Sequence, residues 1–489
     1  MKFLIDTNIF IPLEPGSTND LEDSSPLAAK FLKIASNSEH QIYIHPHIKI
    51  DLEKDKNCQR KDLHLKLIKK YELLPYPPEL TKSIEDVLGV VSENSNHWVD
   101  HHLLCSLKSN AINYLITNDG GIHSKSRRLG IDARVIHLSD AISLIETLFN
   151  EHPTPPPAVE LVKVHSLDIN DPIFDTLKQD YYPDFESWFE TCQIEHRDAW
   201  VIRDADRLSA ICIIKEETKP CYGMLGNILK ICCFKVSNEY NGYRYGELLL
   251  KSLFNYLFKN NFDWCYVTAF SKHKELIYLF ESFGLDVTNE KSPLGENVLT
   301  KKVNFTNEDY EKYDNIEFNR RFGPPSVKWT SKTYIIPIQP HYHEIIFPEF
   351  EQQGTLFPGI FPFGNGIKKA YLSHAPIRNI SIGSNILFYR SKDKQSVTVV
   401  GIIEGFTVSN NPDVIAEYVG KRTVFSYEEI ASLCRSGDVL AILFRQVKHL
   451  SEILPYKTLI NNGIINGVPQ TMSAVNEENI KWLKQKAEK

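Results

Sequence analysis

No apolar run in this chain approaches the ~20 residues that cross a bilayer as a helix, and the opening Met1-Lys2-Phe3-Leu4-Ile5-Asp6 lacks the form of a secretory leader. No membrane partner and a cytoplasmic location are therefore expected. The nine cysteines include no Cys-x-x-Cys pair, and Cys232 and Cys233 stand side by side in an apolar run. This excludes the usual zinc-binding spacing and a disulfide framework, and it predicts free, buried thiols. An excess of positive charge is also missing. The formal net charge of −7 argues against a surface that coats nucleic acid along its whole extent. The balance is uneven, however: residues 370–489 hold 14 Lys and Arg against 11 Asp and Glu, whereas residues 160–305 hold 17 against 22. Neither an internal repeat nor a low-complexity tract is present. What remains is a chain of 489 residues, 42% hydrophobic and 11% aromatic, enough for about three well-packed domains.

Among the charged residues, four acidic ones mark the first 119 positions. Asp6 ends the apolar run 1–5, which reads as a buried strand and places the carboxylate at the strand's C-terminal edge. Open α/β sheets bind ligands at that edge, where strand order reverses. Asp51 lies near an expected helix start after His45-Pro46-His47, Asp100 opens a helical pattern, and Asp119 follows the strand-like 114–118. Clustered carboxylates repel one another. Their natural counter-ions are hard divalent cations, which polarise phosphate oxygens and lower the pKa of bound water.

Leu4-Ile5-Asp6-Thr7-Asn8 and the later Ile116-Thr117-Asn118-Asp119, with Arg134-Val135-Ile136-His137-Leu138 closing the stretch, resemble the PIN-domain ribonucleases. The resemblance implies an α/β/α sandwich over residues 1–148, with Asp6, Asp51, Asp100 and Asp119 holding Mg²⁺ or Mn²⁺ and Asn8 orienting the first carboxylate or a water. That family often has Glu at the second acidic position. Here Glu53 stands beside Asp51, and the choice between them stays open.

His152-Pro153-Thr154-Pro155-Pro156-Pro157 cannot continue a helix, so residues 149–159 are expected to be a linker. Residues 306–369 are expected to be a connector packed on its neighbours, with 315–325 as a loop. Short β-branched runs then resume at 380–382, 385–389, 397–403 and 439–444, at a spacing that suggests a small barrel-like sheet over 370–489.

Between these lies a strand-like run, 228–236, the glycine-containing turn 241–246, a helical pattern, the strand-like 264–269 and a helix closing on Phe280-Glu281-Ser282-Phe283-Gly284-Leu285. Such a turn exposes backbone N–H groups at a helix N-terminus, a physical solution for holding a pyrophosphate. This order resembles the GNAT acetyltransferases over residues 160–305. The resemblance implies a mixed sheet with helices and acetyl-CoA bound through Asn241, Gly242, Arg244 and Gly246. Arg244 stands where that family has glycine, and Phe280 where a tyrosine often serves as general acid. The third segment, Ile382-Gly383-Ser384-Asn385-Ile386-Leu387-Phe388-Tyr389-Arg390 with Val400-Gly401-Ile402-Ile403, resembles PUA-like domains of the ASCH type. It implies a small β-barrel reading RNA by stacking on Phe388 or Tyr389, with Arg390, Lys392 and Arg422 neutralising phosphate.

Taken together, the sequence reads as a multidomain α/β and α+β protein: a metal-dependent ribonuclease with an acetyl-CoA-binding domain and an RNA-reading domain, toxin-like or defensive, acting on tRNA or mRNA. One alternative makes it an N-acetyltransferase acting on RNA, aminoacyl-tRNA or protein, with the first domain as scaffold. Another is a non-catalytic, CoA-sensing RNA binder. An antitoxin or regulatory partner and oligomer formation are left open.

Overall fold

Three β-sheets organise the chain in the computed structural model, which describes residues 1–15, 24–36, 40–149, 158–181, 183–204, 207–330, 332–348, 365–374 and 380–487. The sheets are distributed over two compact units: residues 1–151 with 411–421 and 425–432, and the remainder. The protein is thus a multidomain α/β protein with mixed sheets and helices. The proline-rich run 152–157 and residues 349–364 lie outside the described residues.

In the first unit, strands β1 (Lys2–Ile5), β2 (Gln41–Ile44), β3 (Glu72–Leu73), β4 (Tyr114–Ile116) and β5 (Val135–Ile136) form a wholly parallel sheet in the order β3-β2-β1-β4-β5. The central strands are continuous apolar runs because helices cover both faces. Phe3, Leu4 and Ile5 are completely buried, and the Phe3 ring lies 6.0 Å from Phe31 on one helix and 5.8 Å from Tyr114 on the next strand. The strand order reverses between β1 and β4, so the carboxyl ends of these two strands form the switch point. Asp6 leaves β1 there and caps the helix Thr7–Leu13 through the Thr7 N–H; Asp119 follows β4 and caps Gly120–Leu129 through the Gly121 N–H.

The second unit carries the other two sheets. Strands β6 (Glu160–Lys163), β7 (Asp198–Asp204), β8 (Arg207–Glu217), β9 (Ile228–Val236), β10 (Trp264–Ala269), β11 (Asp286–Lys291) and β12 (Asn297–Lys302) stand in the order β11-β12-β10-β9-β8-β7-β6. Only the pair β9 and β10 is parallel. One face buries Leu249, Leu253 and Phe254 of the helix Tyr245–Lys259 together with Phe280 of Lys274–Ser282, and the other buries Phe185 and Phe189. Strands β13 (Thr333–Ile338), β14 (Lys368–Ser373), β15 (Asn385–Arg390), β16 (Ser396–Ser409), β17 (Val439–Pro455) and β18 (Ser473–Ala474) make a six-stranded sheet in the order β14-β17-β16-β15-β13-β18. Three register shifts bend its long β16–β17 pair.

Three expectations change here. Residues 380–382 form an approach and turn rather than a strand, since Gly383 takes φ 83° before β15 begins. Residues 315–325 are not a loop: Asn315–Phe322 is a helix, capped by Asp314 on the Glu317 N–H and braced by Glu317 against Arg320 and Arg321. The small barrel is, among the described residues, a sheet that ends in β14 and β18.

Candidate functional site

At the switch point of the first unit the four aspartates have unequal surroundings. Asp6 is buried; Oδ1 accepts the Thr7 N–H at 2.7 Å, and Oδ2 accepts Asn8 Nδ2 and Thr117 Oγ1, each at 2.7 Å. Burial pushes its carboxyl up to about 7, the charges of Asp100 and Asp119 adding to the rise while the Thr117 and Thr7 hydrogen bonds oppose it. Asp51 accepts Thr7 Oγ1 at 3.3 Å and is raised mainly by burial, with Lys54 opposing, whereas Glu53 is exposed. Between these two, Asp51 is the one turned toward the switch point. Asp100 is bound by Lys125 Nζ at 2.5 Å.

Asn8 links both strand ends, donating to Asp6 and Thr117 and accepting the Asn118 N–H at 3.1 Å. Lys125 carries no signal in the linear chain, since its position becomes meaningful only once helices Asn96–Lys108 and Gly120–Leu129 pack together. Among the described residues, no three of the four carboxylates offer oxygens within 4.8 Å of one another. As arranged, they do not close on a single ion. Lys54 pairs with Asp51 and Lys125 with Asp100, offsetting repulsion between like charges, and burial favours the protonated form of Asp6.

A second locus lies in the seven-stranded sheet. Strands β9 and β10 are in register from Ile228 with Trp264 to Ile231 with Val267, and there their pairing stops. Opposite this point the β8–β9 ladder shifts register between Ile213 and Ile214, leaving Cys232 as the extra residue. The strands diverge into a cleft of about 860 Å³, walled by Phe234, Val236, Val267 and Ala269 and reached by Asn241 of the turn. At its side Glu296 is buried, accepting Tyr181 Oη at 2.6 Å and Ser292 Oγ at 2.9 Å. This pair was not legible in the sequence, because 115 residues separate its members.

The turn itself corrects part of the cofactor set. Asn241 borders the cleft, and Gly242 takes φ 87°, a conformation suited to glycine. Arg244 is turned elsewhere: its guanidinium pairs with Glu247 at 3.0 Å and donates to the Lys368 carbonyl at 3.3 Å. It is therefore committed to protein partners rather than to a phosphate. Gly246 is a packing glycine, since a Cβ there would lie 3.1 Å from Leu279 Cδ2, within the helix-to-sheet core. Phe280 is buried with its ring 5.1 Å from Phe234.

In the third sheet the proposed stacking platform is overturned. Phe388 and Tyr389 are completely buried, Phe388 lying 4.7 Å from Phe444 and 4.9 Å from Phe347. Strand β15 runs between β13 and β16 with both faces covered, so neither ring meets solvent. Arg390 is buried in ion pairs with Asp393 at 2.5 Å and Glu344 at 2.8 Å, and Arg422 pairs with Glu404 at 2.8 Å. Lys392, at φ 64° in the hairpin after β15, is the member of that set left exposed.

No family model matches the chain, and no curated protein matches it. Solved structures similar to parts of it include ASCH from Zymomonas mobilis, at 14% identity over 32% of this chain and 96% of that one, with a TM-score of 0.26. Another is the paiA N-acetyltransferase of Thermoplasma acidophilum in complex with coenzyme A, at 14% identity over 30% of this chain and 99% of that one, with a TM-score of 0.24. A structure from Desulfovibrio desulfuricans described as an acetyltransferase of the GNAT family is 11% identical over 30% of this chain and 100% of that one, again with a TM-score of 0.24. Each likeness covers about a third of this chain.

Proposed function

We propose that this chain is an acetyl-CoA-dependent N-acetyltransferase whose cofactor lies in the cleft between β9 and β10. The observation that carries the reading is the parting of these two parallel strands. Beyond Ile231 and Val267 their facing edges are released from each other while each keeps its outer neighbour, β8 or β12. Edges of this kind accept an extended, amide-bearing chain as an added strand, which suits the pantetheine arm of CoA. Asn241 borders the cleft, and Gly242 follows it in the turn that leads into the helix Tyr245–Lys259, whose dipole favours a pyrophosphate.

When bound, the cofactor supplies an activated acyl group. The chain's own contribution is a carboxylate, Glu296, placed at the cleft and held by Tyr181 and Ser292, in position to take a proton from an attacking amine. The acceptor is an amine of RNA, aminoacyl-tRNA or protein. Incubating the chain with acetyl-CoA and an amine pool tests the reading: CoA release is expected, and Glu296→Gln should lower its rate ~10²–10⁴-fold while acetyl-CoA binding persists. Absence of acetyl-CoA binding by the unaltered chain overturns it.

A second reading, metal-dependent RNA hydrolysis by the first unit, is favoured by one observation. Asp6 and Asp119 leave adjacent strands at the switch point, and Asp100 and Asp119 act electrostatically on Asp6. The carboxylates do not fit one ion as arranged, so no step is assigned through Mg²⁺ or Mn²⁺. Degradation of total RNA with and without Mn²⁺, lost in Asp6→Asn and Asp100→Asn, is its test; equal cleavage by both variants rejects it. RNA reading by residues 370–489 now rests on Lys392 and the neighbouring exposed Lys394.

A further inference from the structure

Beside the aspartates, but separate from them, three histidines converge. His45 directly follows β2, His47 precedes the helix Ile48–Glu53, and His102 lies on Asn96–Lys108. One ring nitrogen from each lies within 4.8 Å of the others. We propose that His45, His47 and His102 form a binding site for a borderline divalent transition metal, Zn²⁺ above all.

Three features carry this. First, imidazole nitrogens suit Zn²⁺, Co²⁺, Ni²⁺ and Cu²⁺, in contrast to the hard cations that carboxylates select. Second, the three rings pack directly on one another, His47 lying with its ring centroid 4.7 Å from that of His45 and 4.5 Å from that of His102. Third, His45 Nε2 and His47 Nδ1 are buried without a hydrogen-bond partner, an unusual condition for polar atoms. A metal ion supplies what they lack. His45 Nδ1 accepts the His47 N–H at 3.2 Å. Presenting Nε2 to an ion moves the ring's proton to Nδ1 and gives up that long contact, so the histidine still binds as a neutral imidazole and no net proton is released.

Tetrahedral Zn–N bonds place ligand nitrogens roughly 3.3 Å apart, so side-chain rotation need draw the rings together by no more than about 1.5 Å. Trp98 reports the event, its ring lying 4.4 Å from His47 and 4.2 Å from His102. The inference depends on neither functional reading given above.

Its test uses the full chain, stripped with EDTA and titrated with Co²⁺ and then Zn²⁺. The expected result is one tight equivalent, a tetrahedral Co²⁺ absorption band that Zn²⁺ displaces, and quenching of Trp98 fluorescence by Co²⁺ that Trp98→Phe removes. His47→Gln, at a half-buried position, should weaken uptake at least tenfold, as should His102→Asn, while Asp6→Asn leaves it unchanged. Absence of a tight equivalent, or binding by both histidine variants at the original affinity, overturns the proposal. Loss of uptake in Asp6→Asn with retention in His47→Gln assigns the ion to the carboxylates instead and equally overturns it.

Discussion

Asp6 combines two tasks that conflict electrostatically: it caps a helix and ties β1 to β4 through Thr117, yet it does so as a buried carboxyl beside two other acids. Its folded-state pKa of about 7 lies above the ordinary value of 3.8, so between these limits the folded chain holds a proton that the unfolded chain has released. Stability contributed through this group is therefore lost as pH rises from about 4 to 7, by up to about 4 kcal/mol for a three-unit shift. Asp6→Asn removes the penalty at the cost of about 1 kcal/mol in altered hydrogen bonds. Denaturation at pH 5 and pH 8 is expected to show the variant gaining on the original chain at the higher pH; parallel pH profiles would contradict this.

The same scale separates packing from recognition elsewhere. Phe388→Ala should cost about 3–5 kcal/mol of stability, as expected for emptying a core site, rather than acting through RNA affinity. Gly246→Val, which pushes a side chain toward Leu279, should cost about 1–3 kcal/mol whether or not acetyl-CoA is present. Chemical denaturation of each variant decides both; an unchanged midpoint would return either residue to the list of candidate ligand contacts.

At the scale of elements, what the sequence made legible were runs with one environment. The apolar 1–5 and 114–118 gave β1 and β4, and 228–236 and 264–269 gave β9 and β10, each with its following turn. Strand β15 was legible as a strand but not in its orientation, because a strand covered on both faces has no alternation to read. The cleft pair Tyr181 and Glu296 and the histidine cluster depend on long-range packing, for which a single sequence carries no periodic signal. So does the excursion between β16 and β17. Residues 411–421 and 425–432 belong to the first compact unit, where Glu417 of the helix Pro412–Val419 bonds Arg134 and accepts Asn113 Nδ2 at 3.1 Å. Removing that carboxylate leaves the partly buried Arg134 with only the neutral acceptors Asn110 Oδ1 and the Leu107 carbonyl, at a cost of about 1–3 kcal/mol. Glu417→Ala should accordingly speed protease cleavage within 411–425 roughly tenfold, since local opening controls such cutting. Unchanged digestion would mean the helix is held by other contacts.

For the whole molecule, the account gives each compact unit its own chemistry: a parallel sheet with acids and neutral histidines near its switch point, and a mixed sheet opened into a cleft. The arrangement of side chains favours the cleft, because among the described residues no three of Asp6, Asp51, Asp100 and Asp119 bring oxygens within 4.8 Å of one another, whereas β9 and β10 are already parted. The claim on which this ordering depends is that the cleft takes acetyl-CoA. Isothermal titration of the full chain with acetyl-CoA measures it directly, alongside Thr268→Trp, which places a bulky ring on a cleft-lining position of β10. Saturable binding of one equivalent, weakened at least tenfold in a Thr268→Trp chain that keeps its circular dichroism, is the predicted result. No heat of binding from the unaltered chain, or equal affinity in the two proteins, would contradict the account.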